Sequence, residues 1–428
     1  MTPSRRAFLR ALGAAGLVAG TNSRAAATPL YPDLTSIRGS EAWLPQPSPL
    51  STATGSDIGS LYPFVQQQAD RSPLEMSFLQ NKFTDLASWQ TTARTTVLQH
   101  LFYAPPPVAP AAEIIRREDR GDYIQEYLTF QTTPDVRVPA YVLIPKKAAR
   151  PAPGIVALHC HGGFYVWGKD KLVESDGEHA TLTEYKQQLY HGRSIASELA
   201  RRGYVVIVID AFYWGERRMI LDNDPPSYRE RSQMTKDDVS AFNRRSQQGE
   251  QLVARSLFTA GISWPGVALW DDLRTVDYLA SRPEVDPARI GCVGLSMGGY
   301  RSFLLAVLEP RIKVAVDVGW MTSFASQIRK HVIDTVGLTF HIGGLYRYMD
   351  LPDLSALVAP RPLLVINGAK DTLFAPDGVR AAFEKIAACY RKAGAPDRMQ
   401  CRMYNTPHEF NPDMQEQAWA WIAKGIAG

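Results

Sequence analysis

Short runs of the chain are apolar at almost every position: Gly154–Cys160, Gly203–Asp210, Arg289–Ser296, Lys313–Gly319, Pro362–Gly368 and Met399–Asn405. Between and after them, Arg193–Arg202, Val267–Ser281, Gly298–Leu308, Asp377–Lys392 and Pro412–Ile426 place apolar residues at intervals of three and four. A strand buried on both faces shows no polar side, whereas a helix that covers it needs only one apolar stripe. This alternation predicts an α/β fold with a mostly parallel central sheet and helices on both faces. Two earlier runs, Tyr123–Thr132 and Val136–Pro145, alternate residue by residue around the turn Thr133-Pro134-Asp135. They predict an antiparallel hairpin leading into the sheet.

Upstream of that hairpin the pattern is different. Ser77–Phe102 has helical spacing and no internal proline, so it predicts one or two helices, ended by the proline-rich Ala104–Ala112. Residues 28–57 are rich in Pro, Ser and Thr and predict an extended lead-in. The first 27 residues carry paired arginines, Arg5 and Arg6, before the apolar Ala11–Gly20, and small residues up to Ala27. That order predicts a twin-arginine-type export signal cut near Ala27, with a periplasmic or extracellular mature chain. The expected organisation is a signal at 1–27, a lead-in with helices at 28–121, and a catalytic body at 122–428. Long insertions interrupt the body near 211–264, with a helix near Val239–Phe258, and near 319–357.

Charge and composition narrow the picture. The chain of 428 residues is 45% hydrophobic and 21% charged, a globular composition. Its formal net charge is +4, and Arg5, Arg6, Arg10 and Arg24 account for all of it. A body near neutrality gives no electrostatic footing for nucleic acid or a membrane surface. Cys160, Cys292, Cys389 and Cys401 form no zinc spacing. The first two lie in apolar runs and are expected as buried packing residues; the last two flank a helix-to-strand connection and could form a disulfide.

The candidate chemistry sits at the end of one apolar run. Gly294-Leu295-Ser296-Met297-Gly298 matches G-x-S-x-G, with a strand before it and a helix after it. Such a turn holds its serine in a strained backbone state and lifts Oγ into the open. A serine hydroxyl needs a base. His408, in the loop after the last predicted strand, is the one histidine late enough in the chain order Ser, acid, His. Asp371 follows the preceding strand and is the expected orienting acid; Asp317, inside the Lys313–Gly319 run, is the rival. Oxyanion donors are expected from the N–H of Met297 at the helix start and from Gly163 in the loop after Gly154–Cys160. His159, within that run, and His161, just after it, would share one face of a continued strand but lack a third metal ligand at a plausible spacing, and are expected to bond backbone.

With those residues in view, the chain from Ile124 onward resembles an α/β-hydrolase of the dienelactone-hydrolase-like and acetyl-xylan-esterase-like branch. The stretches that carry the resemblance are His159–Gly163, Gly203–Arg217, Trp270–Tyr300, Ala359–Asp371 and Asn405–Phe410. The resemblance implies ester hydrolysis through a serine acyl-enzyme, without a cofactor. Dienelactone hydrolases proper carry a cysteine where this chain has Ser296, which counts against lactone substrates.

Loops at the strand ends are aromatic, and Phe164, Trp214 and Trp320 are the candidate substrate contacts, suited to sugar faces or aromatic acyl groups. Packing of the insertions onto the body explains the same rings. Glu216, Arg217 and Arg218 fit either a substrate contact or a structural ion pair. The first expectation is a carboxylic ester hydrolase, extending to a deacetylase of carbohydrate esters, with a small-molecule or carbohydrate ester as its partner. Two alternatives stand beside it: a peptidase of prolyl-oligopeptidase type, for which the lead-in is too short to form a propeller, and a non-catalytic binding protein on a hydrolase scaffold. An oligomeric state does not follow from the sequence.

Overall fold

The computed structural model describes residues 53–332 and 337–427. The proposed signal and most of the extended lead-in lie outside the described residues. The described residues form one unit.

Nine strands build a single sheet in the order β1-β2-β3-β5-β4-β6-β7-β8-β9. They are β1 (Glu113–Asp119), β2 (Tyr123–Thr133), β3 (Val136–Pro145), β4 (Ala152–Leu158), β5 (Val205–Ile209), β6 (Val285–Leu295), β7 (Ile312–Val318), β8 (Leu363–Gly368) and β9 (Met399–Tyr404). The first three strands and the β3–β5 junction are antiparallel, and every pairing from β5 to β9 is parallel. The expected fold class therefore stands, with one strand more than the sequence pattern predicts. β1 is an edge strand exposed along nearly its whole length. With no buried face it has no apolar alternation, so its sequence, Glu-Ile-Ile-Arg-Arg-Glu-Asp, resembles a charged loop.

Helices cover both faces. They are α1 (Tyr62–Asp70), α2 (Leu86–His100), α3 (Ala180–Tyr190), α4 (Ile195–Arg201), α5 (Lys236–Thr259), α6 (Trp264–Ser281), α7 (Met297–Leu308), α8 (Pro376–Lys392) and α9 (Pro412–Ala427). Val156 and Leu158 of β4 face a cluster shared with α2, α6, α7 and α8. Ile155 and Ala157 face the opposite cluster, shared with α4 and α9. The alternation along β4 thus puts apolar side chains on both sides, which is why the strand shows no polar period. Each fully buried Val, Leu or Ile contributes about 1.5–3 kcal/mol relative to exposure.

The capping residues explain where the helices begin. Asp85 accepts from the Ser88 N–H at 2.9 Å, which starts α2 later than Ser77 and leaves Ser77–Asp85 as turns. Thr235 and Asp238 form a reciprocal capping box that starts α5. This helix of the first insertion is 24 residues long and runs on at an 82° bend into α6.

The cysteine pairing left open by the sequence is not made. Cys389 and Cys401 are free thiols, packed among apolar side chains of α8 and β9, and Cys160 and Cys292 are fully buried.

Candidate active site

Ser296 is the N-cap of α7, with φ 58° and ψ −123°. A non-glycine residue held there is strained and persists only because its surroundings over-determine it. The restraints are visible. The Ser296 N–H donates to the Val318 carbonyl at 2.7 Å, and its own carbonyl accepts from the Tyr300 N–H at 2.9 Å. The flanking glycines follow from the same crowding. A Cβ on Gly294 would fall on the backbone of Gly298, and one on Gly298 would fall on the Leu158 carbonyl of β4. Ser296 is only partly buried, whereas its neighbours in β6 and α7 are buried.

Asp371 and His408 arrive on loops after adjacent strands. Asp371 lies three residues beyond β8, and its Oδ1 accepts from the Leu373 N–H at 3.0 Å, which orients the carboxylate. Its Oδ2 lies 2.6 Å from Nδ1 of His408, four residues beyond β9. Nδ1 donates in that contact, since the carboxylate accepts. The imidazole lies beside the elbow: a Cβ on Gly319, the residue after Val318, would come within 3.2 Å of His408 Cε1. Asp317, the rival acid, has no exposure, and neither oxygen is hydrogen-bonded among the described residues. It lies under the N-terminal turn of α7, close to Gly299, and burial pushes its pKa up to about 8. Burial thus favours its protonated form, and it makes no bond to His408.

The loop after β4 is held from behind and from within. Lys171, fully buried, donates to the carbonyls of Cys160 at 2.8 Å and His161 at 3.1 Å, and burial pushes its pKa down to about 8. His159 lies between backbone partners, with Nε2 accepting from the Ala211 N–H at 3.0 Å and Nδ1 3.0 Å from the Cys160 carbonyl. The Gly163 N–H donates to His161 Nδ1 at 2.9 Å, so the expected oxyanion donor is engaged within its own loop. Because Nδ1 accepts, the His161 proton sits on Nε2, which donates to Glu250 Oε1 at 2.7 Å. His161 is therefore neutral. β4 ends at Leu158, so the two histidines do not share a strand face, and the described residues hold no group of three or more potential metal ligands. Met297, the other expected donor, is the first residue of α7, where the helix leaves its N–H without an intrahelical acceptor.

The aromatic candidates separate. Trp214 is fully buried against Trp264, Tyr165 and His161. Phe164 stacks on Tyr185 at 4.6 Å. Trp320 lines the cavity that opens at Ser296. The charged triplet of the first insertion is structural. Glu216 pairs with the buried Lys169 and accepts from the Tyr127 hydroxyl at 2.6 Å, Arg217 pairs with Asp271 at 2.7 Å, and Arg218 donates to the carbonyls of Gly215 and Tyr228. Lys169 also bonds Asp210 at 2.9 Å, tying the loop after β4 to the loop after β5. No motif marks these residues in the sequence: Lys169-Asp170-Lys171 resembles a solvated charged loop, and Asp210 closes an apolar run.

Ser296, Met297, His408, Trp320, His161 and Gly163 line one cavity of about 270 Å³, reached also by Gln247 and Glu250 of α5. All come from loops or helix starts at the carboxyl ends of parallel strands, or from an insertion over them, where ligand crevices form in such sheets. A wider groove of about 460 Å³ opens at the other end of the strands, beside Arg202 and Arg289. Those cations are engaged, by Glu416 at 2.8 Å and Asp286 at 2.6 Å, and the groove holds no nucleophile beside a base.

Comparison with known proteins places this geometry in context. The profile of the Abhydrolase family matches residues 60–421. The Bacillus subtilis (strain 168) protein YtaP, itself assigned only as a hydrolase, is 29% identical over 287 residues, covering 67% of this chain and 83% of its own. A Bacteroides fragilis NCTC 9343 structure assigned as an acetyl xylan esterase superposes with a TM-score of 0.59 at 19% identity, covering 81% of this chain and 84% of its own. The glucuronoyl esterase of Solibacter usitatus superposes with a TM-score of 0.55 at 17% identity, covering 81% and 95%. At these identities the two structures speak to the fold.

Proposed function

The chain belongs to the Abhydrolase family, and we propose that within it the protein is a serine carboxylic ester hydrolase acting on carbohydrate esters. One observation carries the reading: the His408–Asp371 contact of 2.6 Å, with His408 and Ser296 lining the same cavity. In this mechanism His408 Nε2 takes the proton of the Ser296 hydroxyl as Oγ attacks the ester carbonyl. Asp371 holds the ring by Nδ1 and stabilises the imidazolium that forms. The Met297 N–H meets the developing oxyanion, and the Gly163 N–H joins it by exchanging His161 for the substrate oxygen. The imidazolium then returns its proton to the leaving alcohol, which leaves an acyl-serine. A water molecule, deprotonated by the same imidazole, releases the acid and restores Ser296.

The sugar-directed part is supported by the polar and aromatic cavity wall and by the esters named for the two structural neighbours. Export is supported by the paired Arg5 and Arg6 ahead of an apolar stretch. To test the mechanism, the purified chain is treated with a fluorophosphonate and its peptides are mapped by mass spectrometry. The adduct is expected on Ser296 together with loss of p-nitrophenyl acetate hydrolysis. A hydrolase that keeps its activity with Ser296 labelled, or that is labelled and inactivated at another residue, overturns the assignment.

A further inference from the structure

The wall of the Ser296 cavity carries hydrogen-bonding groups that the mechanism does not use. Apart from the groups already assigned to chemistry, its described lining holds one carboxylate, Glu250, and no lysine or arginine. Glu250 Oε1 accepts from the Tyr165 hydroxyl at 2.8 Å and from His161 Nε2 at 2.7 Å, so the carboxylate is held in one orientation. Both bonds fall on Oε1, and Oε2 accepts from no group among the described residues. His161 is neutral, since Nδ1 accepts from Gly163, so the charge of Glu250 is not cancelled by its neighbour. Elsewhere on the wall, Trp320 and Thr339 are 3% and 5% exposed, and Trp320 Nε1 and Thr339 Oγ1 have no hydrogen-bond partner among the described residues. A buried donor left unpaired is unfavourable, so such atoms mark places that a ligand can satisfy.

The set is selective. A fixed acceptor and two unpaired hydroxyl or N–H groups match hydroxyls, which both give and take hydrogen bonds. An alkyl ester leaves all three unmet, and a site built around polar contacts discriminates strongly against a ligand that lacks them. An anionic ester meets an uncompensated carboxylate. We propose that this wall is a subsite for a neutral, hydroxyl-bearing ring, the saccharide part of a sugar ester. Glu250 Oε2 accepts from a ring hydroxyl, and Trp320 Nε1 and Thr339 Oγ1 donate to ring oxygens. The proposal rests on the esterase reading and deepens it by separating neutral sugars from uronates.

The test is calorimetric binding to the full chain carrying Ser296→Ala, in which esters stay intact. The probes are monoacetylated methyl xyloside, glucoside and galactoside, with cyclohexyl acetate as the ring without hydroxyls and a monoacetylated methyl glucuronoside as the anion. At least one neutral glycoside is expected to bind about tenfold or more tighter than both controls. Glu250→Gln in the same background should weaken that glycoside about tenfold and close its gap to the glucuronoside. Thr339→Val, which keeps the shape, should narrow the gap to cyclohexyl acetate. If cyclohexyl acetate or the glucuronoside binds as tightly as every neutral glycoside, or if both substitutions leave the order of affinities unchanged, the subsite is overturned. The esterase reading is scored apart, by p-nitrophenyl acetate turnover of the parent against Ser296→Ala; undiminished turnover sinks that reading whatever the binding shows.

Discussion

Nδ1 of His408 lies 2.6 Å from Oδ2 of Asp371, and the Asp371 side chain is 1% exposed. A carboxylate so shielded from solvent keeps its two protein partners, the imidazole at Oδ2 and the Leu373 N–H at Oδ1. The relation ties two loops that β8 and β9 bring side by side, and His408 lines the same cavity as Ser296.

From this pairing follows a contrast between two aspartates. Asp371→Asn should lower kcat by about a thousandfold or more, since an amide cannot stabilise the imidazolium. Asp317→Asn should stay within about tenfold of the parent, because Asp317 does not touch His408. Ser296→Ala should lose as much as Asp371→Asn while keeping its circular dichroism spectrum. Steady-state hydrolysis of p-nitrophenyl acetate by the three variants checks all of this. A larger loss for Asp317→Asn would move the acid to β7.

Asp317 makes its own prediction through stability. Its ordinary pKa is 3.8, and burial pushes it up to about 8 in the folded chain. Between those values the folded chain holds a proton that the unfolded chain has released. Its contribution is therefore fully present below pH 4 and is lost as pH rises toward 8, by at most about 1.4 kcal/mol per unit. Asp317→Asn removes this dependence. Urea midpoints measured from pH 5 to 8 should fall less steeply for the variant than for the parent; parallel curves would show that Asp317 is ionised in the fold.

The elbow tolerates no added bulk. Gly298→Ala places a methyl on the Leu158 carbonyl, so β4 and α7 must separate. The expected cost is about 1–3 kcal/mol, as for other overpacked cores, together with loss of turnover as the loop carrying Gly163 shifts. Differential scanning calorimetry beside kinetics checks it, and a variant with parental melting and activity contradicts the close approach.

Behind the same loop, Lys171 is expected to act on rate without supporting stability. Lys171→Met removes the donors that hold the Cys160 and His161 carbonyls, so kcat should fall about tenfold while KM changes little. The folded pKa near 8 lies below the ordinary 10.5, so the parent gains stability from this group as pH rises between those values. The variant, with no buried cation to desolvate, should be flat there. Unfolding midpoints at pH 8 and 10 separate the two slopes. A fall in KM-normalised binding without change in kcat would place Lys171 outside the positioning of the loop.

Much of this molecule is legible from local pattern. The buried strands β4 to β8 announce themselves because a strand covered on both faces must be apolar at nearly every position. The elbow is legible because only glycine fits at 294 and 298, and a short motif records that constraint. The order of Ser296, Asp371 and His408 along the chain matches loops at successive strand ends, so the candidates emerge without knowledge of distance. β1 stays hidden because an exposed edge strand needs no apolar period, and the late start of α2 depends on a cap at Asp85 rather than on spacing.

The rest belongs to tertiary structure. No local signal assigns Glu216 to Lys169 or sets Glu250 of α5 against His161, because those partners lie 47 and 89 residues apart and meet only when the insertions fold over the sheet. The engagement of the Gly163 N–H by His161, the isolation of Asp317 and the unpaired atoms of Trp320 and Thr339 are likewise properties of packing. The sequence by itself determined the sheet, its coverings and the residues able to do chemistry, since each leaves a periodic or steric mark within a few positions. Which hydrogen bonds those residues keep, and which they leave for a ligand, was decided only when distant segments excluded water from around them.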